Sequence, residues 1–61
     1  MAKRYAWTLE VRHENGNSSF QYHHTSKSVR HAAKKLAGLP SVSRLIVQEN
    51  DSGKRTLVWE G

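Results

Sequence analysis

The side chains in this sequence that could do chemistry are chiefly cations. In the stretch Ser26 to Pro40, SKSVRHAAKKLAGLP, Lys27, Arg30, His31, Lys34 and Lys35 appear with no acidic residue among them. Such a set engages phosphates or carboxylates through charge and hydrogen bonding, and it requires no particular motif to do so. The four histidines, His13, His23, His24 and His31, have the wrong spacing for a metal site. His23 and His24 are neighbours and point to opposite sides of a strand, and there is neither a helical H-x₃-H pair nor a cysteine partner. No metal or other cofactor is expected. The acids Glu10, Glu14, Glu49, Asp51 and Glu60 fit no triad order with a histidine and no phosphate-binding loop is visible, so enzyme chemistry is not expected either.

The charge balance points to a partner. Ten Lys and Arg stand against five Asp and Glu, a net charge of +5 with neutral histidines. Up to Arg44 there are eight basic residues against Glu10 and Glu14, so the excess lies entirely in that part. A one-sided positive field favours nucleic acid, an anionic membrane or an acidic protein. No apolar run approaches the length of a membrane span, and the beginning MAKRYAWTLE enters strand-like alternation without a signal-peptide core. The expectation is a cytoplasmic protein with no membrane association. Sixty-one residues make one domain, 1–61, with a thin core and no cysteine to staple it, which favours association as a homodimer.

The elements that must position these groups follow from periodicity. Val29, Ala32, Ala33 and Leu36 fall at i, i+3, i+4 and i+7, one apolar helical stripe opposite the cations. Thr25 or Ser26 is the N-cap, and Gly38 followed by Pro40 ends the helix near Ala37. Before it, Tyr5, Trp7, Leu9, Val11 and His13 alternate with polar residues, and Asn15-Gly16 signals a hairpin. A two-residue turn there predicts Val11 opposite Phe20, Leu9 opposite Tyr22 and Trp7 opposite His24, all on one face. After the helix, Leu45-Ile46-Val47 and Thr56 to Glu60 form a second strand pair. A three-residue turn with Gly53 at positive φ pairs Leu45 with Trp59, Val47 with Leu57, Ile46 with Val58 and Arg44 with Glu60.

The predicted architecture is therefore α+β: β-β-α-β-β, a four-stranded, mostly antiparallel sheet with one helix packed on one face. The expected core is Trp7, Leu9, Val11, Phe20, Tyr22, Val29, Ala32, Ala33, Leu36, Leu39, Leu45, Val47, Leu57 and Trp59. Strand order stays open, because the helix can join neighbouring or more distant strands. Thr25, the Ala32-Ala33 to Leu36-Ala37 stretch, Leu45-Ile46-Val47 and Asp51-Ser52-Gly53 give the chain a pattern that resembles small bacterial and phage β-β-α-β-β domains of unknown function. The likeness spans most of the chain through structural residues, so it implies the fold and carries no function.

Two functional expectations follow. The first is DNA or RNA binding, with Lys27, Arg30, His31, Lys34 and Lys35 on phosphates and Arg4 and Arg12 in support. With the aromatic residues assigned to the core, contact is expected to be with phosphates rather than bases. The second is a protein-binding regulator or inhibitor, drawn to an acidic protein or to a second copy. Its contact would be Ile46 and Val58 on the open sheet face, or an edge strand.

Overall fold

The computed structural model describes residues 5–61. Strands β1 (Trp7–His13) and β2 (Ser18–His23) precede helix α1 (Ser26–Leu36), and β3 (Val42–Glu49) and β4 (Lys54–Glu60) follow it. One open antiparallel sheet results, in the order β2-β1-β3-β4. The expected α+β, β-β-α-β-β arrangement is thus observed, and the open question of strand order is settled. Since β2 and β3 both run antiparallel to β1, they are parallel to each other, and α1 is the crossover that joins them over β1.

The helix forms where its signals lie. Thr25 is the N-cap, its Oγ1 accepting the Ser28 N–H at 3.1 Å, which satisfies one of the free donors of the first turn. Gly38, at φ +85°, turns the chain out of the helix. Val29 and Ala33 are buried, with Ala32 and Leu36 packed beside them. Beneath lie Leu9, Val11, Val42, Leu45 and Val47, and Leu9 and Leu45 are fully excluded from solvent. Trp7 and Trp59 flank this core as partly buried residues.

The first hairpin departs from the expected register. Its loop has three residues, Glu14-Asn15-Gly16, closed by His13 N–H donating to Asn17 O at 2.8 Å and Gly16 N–H donating to His13 O at 3.0 Å. The Asn15 side chain accepts the Asn17 N–H at 3.0 Å, and Gly16 alone takes positive φ, at +91°. Only one left-handed residue is used, as in a type I turn followed by a bulge, so the loop is one residue longer than the two-residue turn that Asn-Gly suggests. A shift of one residue turns every side chain of β2 to the other face. Phe20 now pairs with Glu10 and Tyr22 with Thr8. The two rings are 54% and 57% exposed, not core as expected, and His24, also expected on the core side, is exposed.

The second hairpin has a compensated error. Its loop is Asn50-Asp51-Ser52-Gly53, closed by Glu49 opposite Lys54, because Asn50 remains attached to the first strand. The Asn50 N–H donates to Ala6 O at 2.9 Å, and its Nδ2 donates to Tyr5 O at 2.8 Å. A bulge at Val58 restores the register, so Leu45 faces Trp59 and Arg44 faces Glu60 as expected, while Ile46 faces Leu57. Leu57 therefore leaves the expected core for the open face, and Val58 leaves the open face for the helix side. Leu39 is also largely exposed. Val42, missed by alternation, enters the core because Ser43 is an extra residue opposite β1.

The register can be tested by two substitutions. Leu45→Ala is expected to cost about 2–5 kcal/mol, comparable to the whole stability of so small a fold. Phe20→Ala is expected to cost under about 1 kcal/mol, since only exposed cross-strand packing is lost. Urea denaturation followed by circular dichroism measures both; a larger loss at Phe20 than at Leu45 would contradict the observed pairing.

Candidate functional site

Helix α1 presents Lys27, Arg30, His31, Lys34 and Lys35, all exposed, on the side away from its buried stripe. They do not form one uniform face. Arg30 and Lys34, one helical turn apart, border a groove between α1 and β4 whose floor includes Val47 and Val58. Lys27 and His31 lie on the other flank with Ser28, and Ser28 Oγ is hydrogen-bonded to His23 Nδ1 at 2.8 Å, which places that flank over β2. The groove exists because α1 packs on β1, β2 and β3 and leaves β4 largely uncovered.

The open face of the sheet is ordered in three rows across the strands. The first is Ser18, Arg12, Arg44 and Glu60; the middle one is Phe20, Glu10, Ile46 and Leu57; the third is Tyr22, Thr8, Gln48 and Arg55. Glu10, whose side chain is only 12% exposed, is held by two guanidinium groups: Arg12 Nε donates to Oε2 at 2.8 Å, and Arg55 Nη2 donates to Oε1. Arg44 donates from Nε and Nη2 to one oxygen of Glu60, at 3.0 and 2.6 Å. Beyond the end of β2, Tyr5 stacks on His24 at 4.5 Å between ring centres and meets Tyr22 at 5.7 Å, tilted by 38°.

The structure therefore separates the residues singled out in the sequence. The helix cations stand together on one side of the sheet, in two flanks. Arg12 lies on the opposite side, already paired with Glu10, and does not adjoin them. Arg4 lies outside the described residues. Ile46 and Val58 do not share a face: Ile46 neighbours Leu57 on the open side, whereas Val58 sits in the groove beside α1. Three histidines have local partners: His13 with Ser19 at 3.0 Å, His23 with Ser28 and His24 with Tyr5.

Sequence reasoning missed the aromatic column on β2. Phe20 and Tyr22 alternate with Ser19 and Gln21, so the strand reads equally well with either face inward; only the loop length decides. The Asn15 side-chain bond to Asn17 N–H is the local signal that favours the longer loop.

Among the described residues the ion pairs are Arg12–Glu10, Arg55–Glu10 and Arg44–Glu60, all on the open face, and none engages α1. No described helix is long and apolar enough to cross a membrane. Compared with family models, curated proteins and solved structures, the chain matches none.

Glu10→Gln tests how much the shared carboxylate contributes. Both guanidinium groups are about half exposed, so the expected loss of stability is about 1 kcal/mol or less. The difference from the parent chain should shrink in about 1 M NaCl, where charge is screened within about 3 Å. Urea titrations at low and high salt measure it. A loss that does not change with salt would mean that Glu10 acts by packing and not by charge.

Proposed function

We propose that the protein binds nucleic acid, with α1 supplying phosphate contacts from Lys27, Arg30, Lys34 and Lys35 and a further donor from His31. The observation that supports this reading is the partition of charge. Arg12, Arg44 and Arg55 are engaged by carboxylates, while the helix cations are exposed and take part in no ion pair among the described residues. A helix shaped only for stability gains from acidic residues placed four positions before its lysines, and α1 has none. Cations left in this state attract a polyanion, and displacement of counterions from it drives the association. Such contacts are to the backbone and carry little sequence preference. Arg12 belongs to a different face and is not part of this contact.

A second reading, a protein partner or a second copy of the chain that adds a strand, is favoured by a difference between the two sheet edges. Edge strand β4 carries Lys54, Arg55 and the bulge at Val58, features that discourage pairing. Edge strand β2, Ser18–His23, has no Lys, Arg, Asp, Glu or Pro and no register shift against β1. The strand's own residues thus carry none of the features that guard an edge against strand addition.

The test of the first reading is the double substitution Lys34→Glu and Lys35→Glu. Fluorescence anisotropy of labelled DNA and RNA should show weaker binding on every sequence, with the slope of log affinity against log salt reduced by about one per lost phosphate contact. The fold, checked by circular dichroism, should persist because both side chains are exposed. Unchanged affinity and slope would remove α1 as the contact.

A further inference from the structure

We infer that the open sheet face is a second contact site, a stacking platform for the unpaired bases of a single-stranded nucleic acid, built on Phe20 and Tyr22. The inference rests on the nucleic-acid reading above and extends it from phosphates to bases. Four observations carry it.

The first is exposure. Phe20 and Tyr22 are each more than half exposed, although burying a large aromatic ring is among the most favourable contributions a small core can gain. The second is spacing. The two rings project from the same side of one strand two residues apart, about 6.6 Å along it, room for two successive bases of an extended strand. The third is support: Tyr5 lies against Tyr22 and stacks on His24, which extends the π surface beyond the end of β2.

The fourth is the composition of the rest of the face, which selects the occupant. An apolar protein partner needs a continuous dry patch, but here Glu10 and its two guanidinium groups lie between the aromatic column and Ile46 and Leu57. Rings beside guanidinium groups, here those of Arg12 and Arg55 on Glu10, are a chemistry that receives unpaired bases: π faces stack, and the guanidinium N–H groups not used on Glu10 are donors for base edges. The Lys27 and His31 flank of α1 lies over β2, so a strand leaving the aromatic column around this edge meets cations there. The paired state of Glu10 limits its repulsion of an incoming phosphate.

The experiment compares a labelled oligo-thymidine single strand with a hairpin duplex of matched length, by anisotropy at near-physiological salt. The variants are Phe20→Ala with Tyr22→Ala, Phe20→Leu with Tyr22→Leu, and the Lys34→Glu, Lys35→Glu pair. The leucine pair keeps apolar bulk for the strand and removes only the rings, so it guards against an unfolded alanine variant. Both aromatic variants are expected to lose at least about tenfold in single-strand affinity, to leave duplex affinity unchanged and to keep the parent salt slope, because no charge is removed. The helix variant is expected to weaken both ligands. Unchanged single-strand affinity in a folded leucine variant would overturn the platform while leaving the helix contact standing. If sedimentation shows that the aromatic variants convert a dimer to a monomer with single-strand affinity intact, the face is an interface between copies and the platform is again overturned. If the parent chain binds neither ligand at that salt, the nucleic-acid reading fails and the platform fails with it.

Discussion

One helix has to cover a sheet that is wider than itself, and most of the molecule follows from that mismatch. An eleven-residue helix is about 16 Å long and about 10 Å across, while four strands at about 4.8 Å span about 14 Å between their outer axes. Placed as the crossover from β2 to β3, α1 covers those strands and β1 between them. The excluded residues, Leu9, Val11, Leu45 and Val47, lie on the two central strands where cover is best. Both outer strands keep exposed apolar side chains: Phe20 and Tyr22 on β2, Leu57 and Val58 on β4. Of these only Val58 lies on the helix side, at the limit of the cover; Phe20, Tyr22 and Leu57 are exposed because they point to the opposite, open face.

Electrostatics divides along the same plane. On the open face carboxylates hold guanidinium groups, so charge there is largely balanced within the sheet. On the helix face the cations have no such partners among the described residues. A molecule with a balanced side carrying aromatic rings and an unbalanced side carrying lysines has two chemically different surfaces, joined around the β2 edge by Lys27 and His31.

Those parts of the fold that depend on local rules could be read from the chain. A cap at Thr25 or Ser26, the Val29–Ala33 stripe and Gly38 at positive φ follow from propensity and periodicity, whereas the expected Arg44–Glu60 and Leu45–Trp59 pairs rest on a loop one residue too short and hold only because the bulge at Val58 compensates. What could not be read are single-residue offsets. Asn15-Gly16 fits two loop lengths that differ by one residue, and this alone decides whether Phe20 and Tyr22 lie in the core or outside it. The bulges at Ser43 and Val58 have no compositional mark, yet one brings Val42 inside and the other exchanges Leu57 with Val58. The helix cations were legible as a set, but their division into two flanks required knowing which strand each flank overlies.

The unequal edges bear on how far strand addition can proceed. If β2 pairs with β2 of another copy about a two-fold axis, the only permissive edge of each chain is consumed in the act. The outer margins of the resulting eight-stranded sheet are then both β4, each carrying Lys54 and Arg55 and twisted by its bulge. Such a sheet is self-terminating: it closes at two subunits and offers no template for a third, so a chain with an unguarded strand is kept from polymerising into fibrils by the character of its opposite border.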